Sequence, residues 1–290
     1  MIPETNPTPG HPGSPPQAPE ALERQESCSL SVVRRVAAML DLDPANVAAG
    51  QPLPRGWQFV LMAADTRRSA LRSDGFPGLG VPMPDLGLPR LMLGGRSVSF
   101  RADIPIGSTL LRSSAVQSIR PKTTATGSMA VVTLVHELRL DGQTEPALVE
   151  TQTYLLLPPR TTPADDAATS PEAPVTAAHM SVVVPDETLL FQYSALGFNS
   201  HRIHIDRGHA RDVEGFPDLV VNGGLATLLL TEFLRRDLGV QPAALKVRHL
   251  MPLYCNRPVT LAADRHGERW LLKAYDDRHR LAVDMEVDIT

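Results

Sequence analysis

Residues 158–178 (PPRTTPADDAATSPEAPVTAA) constrain the fold of this chain more than any other stretch. The segment has almost no large apolar side chain and many prolines, so it cannot bury enough surface to offset the entropy of ordering. It reads as a flexible linker, and it leaves two nearly equal halves, each of which must build its own elements. The opening residues are also rich in proline and glycine and lack the apolar stretch of a signal peptide. The expected organisation is a disordered tail over 1–28, one unit over 29–157, the linker over 158–178 and a second unit over 179–290.

Both halves carry similar signals. In the first, 31–40 (SVVRRVAAML) sets Val32, Val33, Val36, Met39 and Leu40 on one helical face, so a short helix is expected. From 57 to 95 glycine and proline predict a long irregular loop, a kind that is often functional. Strands are expected over 96–100, 109–119, 129–140 and 147–157 from their Val, Leu, Ile and Thr content. The second half gives an apolar helix over 223–236 and strands over 246–251, 259–264, 270–275 and 281–289. In the last of these, Leu281, Val283, Met285, Val287 and Ile289 alternate with polar or small residues, the pattern of a strand with one buried face.

A faint repeat links the halves. Ile104 and Gly107 lie 149 residues before Leu253 and Asn256, and Gly and Asn both tolerate the left-handed conformation of a turn. With the shared element order, this favours two copies of one α+β fold, a strongly curved antiparallel sheet around a central helix. A β-sandwich would lack that helix.

Composition excludes several functions. The net charge of −4 and the scattered basic residues supply no stripe for a phosphate backbone, so nucleic acid is not an expected partner. No stretch reaches the roughly 18–20 apolar residues of a membrane span, so no membrane partner is expected. Two cysteines, Cys28 and Cys255, make neither a disulfide framework nor a thiolate zinc cage, and a reducing cytoplasm fits them best.

The densest polar cluster runs from Tyr193 to Asp206 and holds Asn199, His201, Arg202 and His204. It lies upstream of Gly223 and Gly224, the glycine-rich entry to the second long helix. This run resembles the signature of the hydratase-2 or MaoC family, in which an Asp, a spacer, an Asn and a His precede a His-Gly pair opening the central helix. His204 matches the family's catalytic histidine, Asn199 its aspartate and His201 its asparagine. The Asn-x-His-Arg-Ile-His run is more closely similar to the mesaconyl-C4-CoA (3-methylfumaryl-CoA) and itaconyl-CoA hydratases. That likeness extends to RVAAMLDLDPANVAAGQPLPRGW, VPMPDLGLPRLMLGGRSVSF and RDVEGFPDLVVNGG, and covers most of the chain from about residue 30 onward. Two departures stand at the helix entry, where Asn222 replaces the family histidine and Gly224 a proline usual in the subfamily.

The resemblance implies a double hot-dog hydro-lyase that reversibly hydrates an α,β-unsaturated, short branched or dicarboxylic acyl-CoA. Coenzyme A enters as part of the substrate, and neither a metal nor another cofactor is implied; a homodimer is compatible with this reading. Such chemistry needs a base for water, an aiming group and donors for the enolate oxygen. His204 takes the first role, with Asn199 orienting the water. The α-proton could come from His204, His201 or solvent. Backbone N–H groups at Gly223 and Gly224 are oxyanion donors by position. Arg202, Arg207, Asn222, Tyr193 and Trp57 are the expected substrate contacts. An acyl-carrier-protein-linked dehydratase, a non-catalytic acyl-thioester-binding module and a thioesterase are the alternatives.

Overall fold

A computed structural model describes residues 21–124, 127–159 and 173–289. The parts of the expected tail and linker at 1–20 and 160–172 lie outside the described residues. The first half runs β1 (Leu22–Ser27), α1 (Leu30–Met39), β2 (Arg90–Phe100), β3 (Thr109–Thr124), β4 (Gly127–Leu140) and β5 (Leu148–Leu157). The second runs β6 (His179–Val183), α2 (Glu187–Leu196), α3 (Gly223–Asp237), β7 (Pro242–His249), β8 (Val259–His266), β9 (Arg269–Tyr275) and β10 (Leu281–Ile289). Among the described residues, no helix is long and apolar enough to cross a membrane.

All ten strands form one antiparallel sheet in the order β1-β3-β4-β5-β2-β7-β10-β9-β8-β6. Counted inward from each edge, both halves place their first, third, fourth, fifth and second strands in the same sequence. The halves join where β2 pairs antiparallel with β7, and Ser97 faces Lys246 there. These two residues are 149 positions apart, the spacing of the sequence repeat, so equivalent residues meet on a pseudo-twofold axis.

The repeat persists in the hydrogen bonds. Isolated bridges join Pro52 to Pro105 and Val220 to Tyr254. Leu53 N–H donates to Ile104 O as Val221 N–H donates to Leu253 O, and Gly107 (φ +99°) and Asn256 (φ +59°) are both left-handed. This is the double hot-dog architecture expected from sequence.

The copies differ at the central helix. In the second, α3 is buried on nearly every side, with Leu225, Leu228, Leu230 and Leu234 almost fully enclosed. By the same equivalences the first half has Pro54-Arg55-Gly56 where the second has Asn222-Gly223-Gly224, and only a five-residue 3-10 turn, Trp57–Leu61, follows. The expectation of a long central helix in each unit therefore holds for the second copy alone. The rest of the first sheet is covered by the glycine- and proline-rich loop, whose Leu79, Val81, Met83, Leu86 and Leu88 pack on Val116, Val132, Leu134 and Leu156.

The tail expected over 1–28 is corrected at its end, because Leu22–Ser27 forms the edge strand β1. After Leu22, its inward residues are charged and paired, Arg24 with Asp65 and Glu26 with Arg112, so it carries no sustained apolar alternation. Strand β6 and helix α2 also arise in a stretch, 179–196, for which the sequence pattern indicated no element.

Candidate active site

Helix α2 ends at Leu196, and Phe198 turns the chain through a left-handed conformation (φ +47°). Asn199 then closes a local turn, its N–H donating to Ser194 O and its Oδ1 accepting from His201 N–H at 3.1 Å. A 3-10 turn, Arg202–His204, follows and brings His201 and His204 inward, 7% and 8% exposed, with ring centroids 5.5 Å apart and nearly perpendicular.

His204 is fixed by the segment that enters α3. Val220 N–H donates to Ile203 O, and Val220 O lies 2.7 Å from His204 Nδ1. A carbonyl only accepts, so Nδ1 carries the hydrogen and Nε2 keeps a free lone pair. Burial pushes the His204 pKa down to about 3, with His201 adding to the shift and the Val220 bond opposing it. The imidazole is a neutral base at pH 7.

His201 is held neutral in the same way. Burial lowers its pKa to about 4 against the pull of Asp74, whose Oδ2 lies 3.7 Å from Nε2. Asp74 comes from the long loop of the first half. That loop docks tightly: Asp74 O accepts from Arg202 N–H, and Gly75 O accepts from the Ser200 hydroxyl. A Cβ on Gly75 (φ +77°) would lie 2.4 Å from Ser200 O, so only glycine lets the two backbones meet.

The N-terminus of α3 faces the same space. Asn222 caps it without a side-chain bond to the helix; its Nδ2 donates to Ser194 Oγ, and its Oδ1 is buried without a partner. The first amides of a helix have no partner within it, and Gly223 and Gly224 leave them uncovered. A Cβ on Gly224 would sit 2.1 Å from Tyr193 Oη, and one on Gly223 would sit 3.2 Å from Leu93. Tyr193 is wedged against Phe59 (centroids 4.5 Å apart), and burial raises its phenol pKa.

These groups surround a cavity of about 230 Å³, whose wall includes Asn199, His201, His204, Asn222, Gly223, Gly224 and Tyr193. Seven of the ten residues expected at the site thus converge. The other three do not line it. Trp57 is 1% exposed in the core and donates from Nε1 to the buried Glu232 at 2.7 Å. Arg202 pairs with Asp206, and Arg207 with Asp218 and Glu187, at the surface. Among the described residues, no three His, Cys, Asp or Glu side chains converge as metal ligands would.

Several wall residues were not legible from the motif. Asp74, Arg96, Tyr154, Glu214 and His249 also line the cavity. Arg96 meets Glu150 at 3.1 Å, while His249 has its pKa lowered to about 3 by burial and then by Arg96. The signal that could have found Arg96 and its neighbours is parity. On β5, Glu150, Gln152 and Tyr154 share the inward phase of Leu148 and Leu156.

The equivalent place in the first half is closed. Arg55, at the position of Gly223, lies over the Phe100 ring at 5.5 Å and bonds Pro242 O and Asp103. Only about 10 Å³ remains there.

The model for hydroxyacyl-thioester dehydratase type 2 (Htd2) matches residues 56–255. The chain is 32% identical to mesaconyl-C(4)-CoA hydratase of Chloroflexus aurantiacus over 264 residues, covering 90% of this chain and 92% of that protein. Its fold resembles a MaoC-like dehydratase from Phytophthora capsici, with a TM-score of 0.68 and 14% identity over 94% of this chain and 96% of the other. It also resembles a Mycobacterium tuberculosis protein described as a double hot-dog, with a TM-score of 0.58 and 15% identity over 94% and 96% of the two chains. With both sequence matches spanning most of a duplicated hot-dog sheet, the chain belongs to the hydroxyacyl-thioester dehydratase type 2 (Htd2) family.

Proposed function

We propose that this chain is a hydro-lyase that adds water reversibly across the double bond of a short branched or dicarboxylic α,β-unsaturated acyl-CoA thioester. The observation that carries the reading is His204. Its Nδ1 is tied to Val220 O, and its ring shares a cavity with the uncovered amides that open α3. The mesaconyl-C(4)-CoA hydratase relative, similar over nine-tenths of both chains, supports the class of substrate.

The thioester carbonyl lies against the Gly223 and Gly224 amides, where the positive end of the helix favours an enolate oxygen. Water donates a proton to His204 Nε2 as its oxygen bonds the β-carbon. The imidazolium, strongly acidic because the buried imidazole is a weak base, then returns that proton to the α-carbon, so a single residue balances the addition. Asn199 replaces an acid with an amide whose Oδ1 is engaged by His201 N–H, leaving Nδ2 to aim the water.

The test is incubation with a panel of short enoyl-CoA esters, reading the gain of one water by mass. The His204→Ala variant should bind the same ester but lose about 10²- to 10⁴-fold in rate. Hydration of no ester in the panel, or full activity without the imidazole, would overturn the reading.

A further inference from the structure

A second cavity, of about 150 Å³, lies in the first half, and Phe76, Arg96, Tyr154, Tyr193 and Asn199 belong to the walls of both cavities. It occupies the inner face of the first sheet, where the short Trp57–Leu61 turn replaces a long helix. Across that face runs a polar belt. Ser114 pairs with His136, His136 with Glu150 and Gln152 with Arg96 in strand register. Apolar clusters flank the belt, with Leu110, Leu138 and Leu148 at one end and Val116, Leu134 and Leu156 at the other.

Polar groups placed at core positions are costly unless they are satisfied. Here the compensation is one-sided. Arg24, Arg96 and Arg112 form part of the cavity wall with Ser114, His136 and Gln152, whereas their carboxylate partners Asp65, Glu150 and Glu26 do not. Glu150 is fully buried and already accepts from Gln58 and Gln152 as well as meeting Arg96. Arg96 Nε and Arg112 Nε are buried without a hydrogen-bond partner. Arg96 stands at the junction, with Nη1 on Glu150 and Nη2 3.4 Å from where a Gly224 Cβ would project. The space therefore presents donors and positive charge within a few bonds of the thioester position.

We propose that this second cavity is a carboxylate subsite, which selects dicarboxylic monothioesters by holding the acid group remote from the thioester, with Arg96 as its main partner. The inference rests on the hydratase reading and adds the group that the first half recognises. An apolar acyl tail would strip water from the accessible parts of three arginines without replacing it; a carboxylate supplies an acceptor for the part of the Arg96 side chain, 11% exposed, that Glu150 leaves accessible. The volume suits a carboxymethyl group, a few waters in size, and is too small for the nucleotide of the thioester.

The test compares kcat/KM for a dicarboxylic enoyl monothioester and for the analogue with a neutral carboxamide in place of the free acid. Wild type should prefer the acid by about 10- to 100-fold, the usual worth of hydrogen bonds to a charged group. Because Arg96→Met alone leaves Glu150 buried and unpaired, the informative variant is Arg96→Met with Glu150→Gln. In it the acid-over-amide preference should collapse, and Arg112→Gln should narrow it. An equal loss on both substrates in the double variant would make Arg96 structural and overturn the subsite. If the double variant does not fold, wild type decides: hydration of the amide with no preference for the acid overturns the subsite alone. Hydration of neither ester overturns the parent reading instead.

Discussion

Replacing Gly224 by alanine sets two opposed effects against each other at the mouth of α3. In an ordinary helix the change gains up to about 1 kcal/mol, because glycine loses more chain entropy on folding. Here the new methyl would lie 2.1 Å from Tyr193 Oη and 3.1 Å from Cζ, so the ring must retreat by about 1 Å to reach normal contact. Tyr193 cannot swing freely, since it is 7% exposed and stacked on Phe59. Overpacking of this kind costs about 1–3 kcal/mol, which outweighs the gain. The expected result is a melting temperature lowered by roughly 2–8 °C. On the hydratase proposal, a fall in kcat of about 10²-fold should accompany it, since a displacement near 1 Å misaligns the amides proposed as oxyanion donors. Thermal unfolding and steady-state hydration, measured on Gly224→Ala and on the double variant with Tyr193→Phe, separate the causes. Removing Oη leaves Cζ at 3.1 Å, a clash that needs only a few tenths of an ångström to relax, so the double variant should recover most of the stability. The reasoning is refuted if Gly224→Ala melts at or above wild type, or if the added phenylalanine restores nothing.

Three further outcomes follow from the same coordinates. Burial depresses the pKa values of His201, His204 and His249 to about 4, 3 and 3; the unfolded chain therefore binds more protons below about pH 6.5, and stability should fall on acidification from there at up to about 1.4 kcal/mol per pH unit per histidine. Denaturant titrations from pH 7 to 4 would check this, and a flat profile would contradict the buried, neutral rings. Trp57→Phe should cost about 0.5–1.5 kcal/mol by removing one hydrogen bond from the buried Glu232, which Arg235 still pairs through both oxygens, with KM unchanged; a raised KM would return Trp57 to the substrate contacts. Gly56→Ala must hold φ +107° and place a methyl 2.4 Å from Thr231 Oγ1, so it should lower the unfolding midpoint by more than a surface change does.

The division between sequence and fold is visible at single residues. Local pattern was enough for eight of the ten strands, for α3, and for the left-handed turn shared by Gly107 and Asn256, because each depends on neighbours in the chain. It was also enough to bring His201, His204, Asn199 and the Gly223–Gly224 pair together, since one short loop carries the first three and α3 begins soon after.

Strand β1 escaped because its inward side chains after Leu22 are Arg24 and Glu26, satisfied by partners far along the chain. Trp57, an aromatic beside a glycine turn, gave no local sign that Glu232 would claim its N–H. Asp74 and Arg96 reach the site only when the sheet closes and the loop of one half lies on the histidine turn of the other. Local sequence set most of the elements and which loop bears the two histidines. Tertiary structure decided which charges face the ligand, because that depends on groups over a hundred residues apart sharing one buried, poorly screened space.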